Sequence, residues 1–393
     1  MYNGIKPVHL GADLNCYGMA RAFSEAYGAI SHAFGKYKLG AIKYSKIVKF
    51  HKIPPLYQKD AVLRLLTDFA CQCDQKPYLF GCTDEYALFV AENKDVLSDH
   101  FVCPCPDAET ARAFSDKAVF YEKCADLSLP YPKTVAVSAL DEAYVLGELP
   151  FGYPVIIKPS CSCEYWRHPF ESMRKVYKAT SRADGERILS LIFSSGYGGK
   201  VLIQENVDPA DQYVATCFSA KGNVRGICVG RVLLGEVTPK GLGNHVAIIT
   251  EKNDNICDAV SLFLKSTGYD GFSNFDILRD EKTGKYYLLE INLRQGRSNY
   301  YMTAAGMNAA RLALGDHGGD AVCGEEIFWH SVPTKIVLDR CGDADRRKIT
   351  SLVKKKKAFS SFGYKRDLKN PLRIAYLAVH NAGFFAKYRD AEN

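Results

Sequence analysis

Short apolar runs alternate with helical patterns over the first hundred residues of the chain. Residues 7–27 predict a short strand, a tight turn and a helix, residues 60–73 an amphipathic helix, and residues 78–81 a further short strand. Such alternation is typical of parallel strands in one sheet, with helices covering its faces. Gly11 and Gly18 follow the first strand but do not form the G-x-G-x-x-G motif, so we assign no dinucleotide site.

From residue 115 onward the pattern changes to longer apolar strands. A helix is predicted over residues 115–127, capped by Ser115 or Asp116. Strands are predicted at residues 153–158, 201–207, 213–218 and 224–234. The short turn at Lys221 and Gly222 favours an antiparallel arrangement of the last two.

Two neighbouring apolar runs, residues 272–279 and 286–294, each carry a carboxylate. The first contains Asp276, and the second contains Glu290 and then Asn292. The intervening Asp-Glu-Lys-Thr-Gly segment is a turn signal, so the two runs predict a β-hairpin. Because side chains alternate between the faces of a strand, Glu290 and Asn292 share a face, and Asp276 can reach it from the neighbouring strand.

Carboxylates buried together repel each other, and each is costly to remove from water. A divalent cation offsets both effects, and hard oxygen ligands such as Asp276, Glu290 and Asn292 suit Mg²⁺, which often shares its shell with nucleotide phosphates. The alternative is a charged rim on an edge strand, which the apolar flanking residues disfavour.

Two lysines precede the hairpin in positions suited to binding phosphate. Lys158 closes an apolar strand and is followed by Pro159, which fixes its backbone. Lys117, at the start of the predicted helix, is a weaker second candidate. Either lysine alone is more often a surface side chain whose charged end reaches solvent.

Composition excludes several classes of protein. Hydrophobic residues make up 47% and charged residues 24% of the 393 residues, which is typical of a globular protein of two or three domains. No apolar run is long enough to cross a membrane, and the N-terminus has no signal-peptide core, so we expect a cytoplasmic protein. The 14 cysteines are scattered, with pairs spaced C-x-C rather than C-x-x-C, and are interpreted as buried or incidental thiols.

The order of these features resembles the ATP-grasp superfamily over residues 115–308. The matching pieces are Asp116-Lys117 with Leu129 to Pro132, Val155 to Pro159, Gln204 to Val207 with Asp211, Asp276, and Leu289 to Arg294. The resemblance implies that Lys117 and Lys158 bind ATP phosphates. It further implies that Glu205 and the Val207 backbone contact the adenine, that Asp211 contacts the ribose, and that Asp276, Glu290 and Asn292 hold Mg²⁺, or Mn²⁺ in its place.

One departure concerns the loop after Lys158. Many members of the superfamily have a glycine-rich loop there, whereas residues 160–170 contain no glycine and several aromatic residues. We expect a stiffer loop, in which Ser160 and Ser162 supply the hydrogen bonds that backbone amides supply elsewhere.

Within the superfamily the chain is similar to the D-aspartate ligases and related carboxylate–amine ligases. The residues that carry this similarity are Lys158 to Trp166, Lys175 to Tyr177 and Asn292 to Met302. Those ligases join D-aspartate to a lysine side chain of a peptidoglycan precursor. Since a guanidinium group matches a carboxylate geometrically, the similarity implies that Arg294 or Arg297 holds the acid substrate or its acyl phosphate. A surface salt bridge is the alternative for Arg297. Arg231 and His245 are weaker candidates.

The predicted fold is α/β with three parts. Residues 1–108 form a Rossmann-like pre-ATP-grasp domain, and residues 109–330 a two-lobed α+β ATP-grasp domain, with an N-lobe over about 109–207 and a C-lobe over about 208–330. Residues 331–393 form a basic, helical C-terminal segment.

The basic charge of the chain belongs to its C-terminal end. Residues 340–393 hold 14 Lys or Arg against 5 Asp or Glu, whereas the first 339 residues hold 37 against 39. Basic helices with apolar residues can bind anionic lipids, so we expect peripheral association with the inner membrane face, the alternative being a solvated helix packed on the body. Nucleic acid is not expected, because no recognition motif accompanies the charge. A homodimer is the default oligomer.

The sequence thus predicts an ATP-dependent ligase that forms an amide bond between a carboxylate substrate and an amine acceptor through an acyl phosphate. D-Aspartate and an amine of a peptidoglycan precursor are the expected substrates. Two alternatives stay open: an ATP-grasp kinase acting on a hydroxyl, and a non-catalytic nucleotide-binding protein with a membrane-associating tail.

Overall fold

The computed structural model describes residues 4–238, 241 and 243–390. The chain divides into two compact units. The first comprises Met1–Ala108, Tyr213–Asn274 and Asn292–Asn393, and the second comprises Glu109–Gln212 and Phe275–Ile291. The α/β class predicted from the sequence is confirmed, whereas the division into three domains stays a prediction.

The N-terminal part of the first unit is a four-stranded parallel sheet, as the alternation of strands and helices predicts. Its strands are β1 (Pro7–Leu10), β2 (Ser31–Gly35), β3 (Val48–Lys52) and β4 (Tyr78–Gly81), in the order β3-β2-β1-β4. The helices that follow its strands are α1 (Leu14–Tyr27), α2 (Lys59–Cys71), α3 (Asp84–Glu92) and α4 (Lys94–Ser98). Asp13 and Thr83 cap α1 and α3 by accepting hydrogen bonds from backbone amides of the first turn.

The second unit contains a four-stranded antiparallel sheet. Its strands are β5 (Thr134–Val137), β6 (Val155–Pro159), β7 (Tyr177–Ala179) and β8 (Val201–Glu205), in the order β5-β8-β6-β7. Its helices are α5 (Ala108–Ser115), α6 (Lys117–Asp126), α7 (Ser162–Tyr165) and α8 (Arg182–Ser194), and residues Leu140–Gly147 form a 3₁₀ helix. Val155, Ile157 and Ile203 pack with Leu189 in its core, so β6 presents Lys158 from a rigid base.

A seven-stranded sheet follows in the order β13-β12-β9-β10-β11-β14-β15. Its strands are β9 (Pro209–Ala220), β10 (Asn223–Gly235), β11 (His245–Thr250), β12 (Gly271–Asp280), β13 (Tyr286–Asn292), β14 (Phe328–His330) and β15 (Ala358–Ser360). The predicted turns are present at Lys221 and Gly222, both with positive φ, and at residues 280–284.

The remaining helices belong to the first unit. They are α9 (Asp254–Ser266), α10 (Tyr300–Ala304), α11 (Ala309–Ala313), α12 (Thr334–Arg340), α13 (Asp343–Lys354) and α14 (Pro371–Asp390), with short 3₁₀ helices at Gly40–Ile42 and Asp367–Lys369. Within the described ranges, no helix is both long and apolar enough to cross a membrane.

The C-terminal segment is mostly helical, as predicted, but it also contains a short strand. Helix α13 ends at Lys354, and Lys356 adopts a left-handed conformation with φ 59°. The chain then forms β15, which pairs in parallel with β14 through Phe328 and Ala358. A run of four lysines is compatible with a helix, so sequence pattern did not indicate this strand.

Candidate active site

A cluster of lysines surrounds one carboxylate in the second unit. Lys117, the first residue of α6, places Nζ 2.9 Å from Glu290 Oε2. Lys175, in the segment before β7, places Nζ 3.3 Å from Glu290 Oε1. The side chains of Lys117 and Glu290 are only 11% and 15% exposed, so this ion pair is poorly screened by solvent.

Lys158 joins the same cluster through a tyrosine. Its ammonium group, in a side chain 8% exposed, donates a hydrogen bond to the Tyr121 hydroxyl at 2.9 Å. That hydroxyl in turn donates to the carbonyl oxygen of Leu289 at 2.5 Å. Tyr121 therefore links Lys158 on β6 to the residue before Glu290 on β13.

The charges of this cluster shift the pKa of its members. Burial, followed by repulsion from Lys117, lowers the pKa of Lys158 to about 7, although Glu290 and Asp276 act in the opposite direction. Burial alone would raise the pKa of Glu290, but Lys117, Lys175 and Lys158 together hold it well below its ordinary value. The carboxylate is thus ionised at neutral pH, whereas Lys158 is close to its titration midpoint.

The loop after β6 is tied to the start of α6. The backbone carbonyl of Ser160 accepts a hydrogen bond from the Lys117 amide at 3.0 Å. Lys117 Nζ donates to Ser162 Oγ at 3.2 Å, and Asp116 caps the helix by accepting from the Ala118 amide. Lys117 is consequently held at both its backbone and its ammonium group.

The carboxylates predicted to bind a metal fit that role chemically. Asp276 on β12 and Glu290 on β13 both act on Lys158, and carboxylate oxygens are ligands that Mg²⁺ prefers. Glu290 is ionised, as metal binding requires. Across the described residues, no group of three or more His, Cys, Asp or Glu could hold a metal ion on its own. A magnesium ion here would need further ligands, such as an amide, water or phosphate oxygens.

The residues expected to meet the nucleoside lie at the end of β8 and just beyond it. Glu205 ends β8, and its Oε1 accepts a hydrogen bond from the Lys133 amide at 2.8 Å. Val207 is half-buried in the loop that follows. Asp211 Oδ2 forms an ion pair with Arg279 Nη1 at 3.3 Å. These residues share the second unit with the lysine cluster.

The other predicted site residues belong to the first unit. Asn292, the last residue of β13, donates to the Asn274 carbonyl at 3.2 Å and accepts from Arg294 at 3.2 Å. Arg294 Nε forms an ion pair with Asp84 at 2.8 Å. Arg297 forms no ion pair or hydrogen bond with any residue that the structure describes, and its charge acts on Asp13.

Arg231 and His245, the two weaker candidates, both belong to the first unit. Arg231 binds Asp345 with two nitrogens and lies 3.7 Å from Glu251. His245 is buried at the start of β11. Neither residue adds a group to the lysine cluster of the second unit.

The segment that carries Arg297 is fixed against α1. Asn299 donates to the Asn15 carbonyl at 3.0 Å, and Asn15 donates to the Gln295 carbonyl at 2.5 Å. A side chain at Gly18 would overlap the Asn299 amide, so this close approach requires glycine. The position of Arg297 therefore depends on a buried amide network.

Two residues of the cluster were not assigned a role from the sequence. Tyr121 follows Lys117 by four residues in α6, a spacing that places them on one helix face. Lys175 begins the segment Lys175 to Tyr177, which carries the similarity to D-aspartate ligases but was given no role in the site. The four-residue spacing could have indicated that Tyr121 lies beside Lys117. An aromatic residue in a helix is, however, more commonly part of the hydrophobic core.

Known proteins resemble this chain in sequence and in fold, although no family profile matches it. A D-aspartate ligase from Enterococcus faecium (strain Aus0004) is 34% identical, in an alignment that covers 97% of this chain and 96% of that enzyme.

Solved structures with low sequence identity share the fold. An L-amino acid ligase from Bacillus licheniformis matches with a TM-score of 0.59 and 15% identity, covering 82% of this chain and 78% of that one. The biotin carboxylase domain dimer of the Hydrogenobacter thermophilus 2-oxoglutarate carboxylase, in complex with MgADP, ADP and bicarbonate, matches with a TM-score of 0.62 and 16% identity, covering 82% and 73%. The identity to the D-aspartate ligase over almost the full length of both chains, together with this shared fold, shows that the chain belongs to the D-aspartate ligase family of ATP-grasp carboxylate–amine ligases, ATP-dependent enzymes that form carbon–nitrogen bonds.

Proposed function

We propose that this enzyme activates the carboxylate of D-aspartate, or of a similar amino acid, as an acyl phosphate and transfers it to an amine of a peptidoglycan precursor. The observation that carries this proposal is the convergence of Lys117, Lys158 and Lys175 near Glu290. Phosphate oxygens of ATP are the anions best suited to such a cluster of ammonium groups. The named D-aspartate ligase supports the choice of acid.

In this proposal the lysines stabilise negative charge on the transferring phosphoryl group. An oxygen of the acid attacks the γ-phosphorus, the bond between that phosphorus and the β–γ bridging oxygen breaks, and ADP leaves. Lys117 and Lys158 come from a helix start and a strand end, so little rearrangement is needed to orient them. Asp276, Glu290 and Asn292 would hold Mg²⁺, or Mn²⁺, which supplies further positive charge at the phosphates.

The nucleoside would bind beside the same cluster. Glu205 and the Val207 backbone would contact the adenine, Asp211 the ribose, and Ser160 the phosphates. Because Asp211 already pairs with Arg279, and Glu205 with the Lys133 amide, both carboxylates are held in defined positions.

The acid substrate would bind through Arg297. Arg294 is engaged by Asp84 and donates a hydrogen bond to Asn292. Among the described residues Arg297 forms no ion pair, although its charge acts on the buried Asp13. A guanidinium group can bind a carboxylate with two parallel hydrogen bonds. In the second step the amine nitrogen attacks the acyl carbon, the carbon–oxygen bond to phosphate breaks, phosphate leaves, and the ammonium proton passes to solvent.

The experiment that tests this function is phosphate release from ATP, screened over D- and L-amino acids in combination with peptidoglycan precursor peptides. The proposal expects release only when an acid and an amine are both present, with D-aspartate among the best acids. A stable phosphoester formed without any amine would favour the kinase instead. Loss of release in Lys158→Ala, with an unchanged unfolding transition, would tie the activity to this site.

We further propose that the enzyme works in the cytoplasm and associates peripherally with the inner membrane face through residues 340–393. The basic charge of this segment and the exposed residues of α14 support the association. A homodimer, the default oligomer, remains a prediction, and no contact with nucleic acid is proposed.

A further inference from the structure

Helix α14 combines buried residues with several large apolar side chains that are exposed. Arg373, Leu377 and Tyr388 are at most 7% exposed. Leu372, Ile374, Val379 and Phe385 are 62%, 51%, 75% and 45% exposed, and exposed alanines lie between them. Large apolar side chains exposed along one helix are typical of an interaction surface.

A second segment of the first unit has the same character. Residues 36–46 contain four lysines and no Asp or Glu. Tyr37, Leu39 and Tyr44 of this segment are 62%, 45% and 45% exposed. Aromatic and apolar residues interleaved with lysines are typical of segments that lie at a lipid headgroup surface.

Hydrogen bonds hold these two segments together. Arg373 donates to the carbonyl oxygens of Lys43 at 2.6 Å and of Ala41 at 2.8 Å. Asp367, fully buried just before α14, accepts from the Lys46 amide at 2.6 Å. The two segments are therefore adjacent, and we call their exposed side chains together the docking surface.

The charge of the docking surface selects its partner. The exposed lysines of residues 36–46 are joined by Lys365 and Lys369, which are also exposed, and the nearby carboxylate of Asp367 is buried. A second copy of the chain would bring lysines against lysines, which opposes a symmetric contact. An anionic bilayer surface matches both the positive charge and the apolar side chains.

We propose that residues 36–46 and α14 form a single site that docks on an anionic lipid bilayer, with the exposed side chains of α14 entering the headgroup region. The inference deepens the proposed membrane association and rests on it, but it does not depend on the ligation chemistry. It adds an N-terminal segment to a membrane contact that sequence alone predicted only for the C-terminal end.

Co-sedimentation of the full-length chain with vesicles tests this inference. Vesicles of phosphatidylcholine alone are compared with vesicles containing equal parts of phosphatidylglycerol. We expect pelleting with the anionic vesicles only, and release at high salt because charges attract the surface. Pelleting that is equal for both vesicles, or absent for both, would overturn the proposal.

Two sets of substitutions test the two segments separately. Leu372→Ser with Val379→Ser and Phe385→Ser removes the apolar contact of α14, and Lys36→Glu with Lys38→Glu reverses charge in the other segment. Each set should weaken binding to anionic vesicles roughly tenfold or more. The matched control is Tyr57→Ser with Val96→Ser and Leu262→Ser, which are 84%, 52% and 44% exposed outside both segments.

All variants should retain ATP-dependent phosphate release, which separates this inference from the proposed reaction. If the Lys36 and Lys38 variant binds as tightly as the wild type, the N-terminal segment is not part of the site and the proposal is wrong. A dimer by light scattering that the α14 variant converts to a monomer, without vesicle binding by the wild type, would assign the surface to a second copy instead.

Discussion

Lys117 Nζ lies 2.9 Å from Glu290 Oε2, although helix α6 and strand β13 are far apart in the chain. This pair explains how several ammonium groups can be gathered in a small, poorly hydrated region, since the carboxylate offsets their mutual repulsion. It also means that phosphate oxygens bound here would compete with Glu290 for the same ammonium groups.

Replacing Glu290 by glutamine should affect both folding and activity. Three lysines would lose their common counter-charge, so we expect the free energy of unfolding to fall by about 1–3 kcal/mol in urea denaturation. Phosphate release should fall at least about 100-fold, because the proposed metal would lose a carboxylate ligand. Glu186→Gln breaks an exposed pair with Arg182 and is the matched control, with an expected loss well below that of Glu290→Gln because solvent screens the pair.

The stabilising effect of Glu290 should depend on pH in a defined direction. Its pKa in the folded protein is held below the ordinary value, so its contribution is complete above the unfolded pKa of about 4.3 and is lost as the pH falls through the folded pKa. The stability difference between wild type and Glu290→Gln should therefore narrow below about pH 4. A difference that is constant from neutral to acidic pH would show that Glu290 acts through packing alone.

The pH dependence of ATP use should report Lys158. The protonated form binds phosphate, and its pKa is about 7, so kcat/KM for ATP should decline as the pH rises through about 7. Lys158→Arg keeps a positive charge over the whole range, so its profile should lack this decline even where the rate is lower. A decline near pH 7 that persists in Lys158→Arg would assign the titration to another group.

Tyr121 should tune that titration. Tyr121→Phe removes the acceptor of the Lys158 hydrogen bond, which favours the neutral amine, so the decline in kcat/KM should move to lower pH by roughly one unit. Since the Leu289 carbonyl also loses its donor, unfolding should become easier by about 1–3 kcal/mol. Tyr153→Phe removes a hydroxyl bonded to the Leu146 carbonyl and should leave the profile unchanged. Equal shifts in both variants would contradict the assigned link.

Arg297→Ala should raise the KM for the acid by roughly 10–100-fold and leave the KM for ATP within about twofold. Initial rates at varied acid and ATP concentrations separate the two constants. Arg297→Lys should recover part of the loss, because a lysine keeps the charge without the planar fork. Exposed Arg225→Ala is the control. Equal increases in both constants would point to a general structural role.

Gly18→Ala should disturb the segment that carries Arg297. The added methyl group would overlap the Asn299 side chain, so we expect a loss of about 1–3 kcal/mol in unfolding free energy and a higher KM for the acid. Gly383→Ala in helix α14 meets no atom within 4 Å and should instead stabilise the chain by about 0.5–1 kcal/mol. If the Gly18→Ala variant is destabilised but its KM for the acid is unchanged, the contact with α1 does not position Arg297 for substrate binding.

The elements that the sequence predicts well are those with strong local signals. Asp116, one of the two predicted caps, caps α6, because capping depends only on neighbouring residues. The hairpin of β12 and β13 follows from its turn residues, so Asp276 and Glu290 could be placed on neighbouring strands.

The remaining features depend on contacts between distant parts of the chain. Leu288 and Ile291 are both buried in β13, three residues apart, which strict alternation along a strand does not predict. The contact of Lys175 with Glu290 joins segments that no local pattern relates. Strand β15 pairs with β14, which lies distant in sequence. The four lysines that precede β15 are compatible with a helix, so no local pattern predicts the strand.

The most direct test of the proposed reaction follows one oxygen atom. The amino acid that best supports phosphate release is labelled with ¹⁸O in the carboxylate to be activated and incubated with ATP and the amine, and the released phosphate is analysed by mass spectrometry. Activation through an acyl phosphate predicts that one labelled oxygen appears in each phosphate released. Phosphate without label, formed while the amide accumulates, would contradict the account.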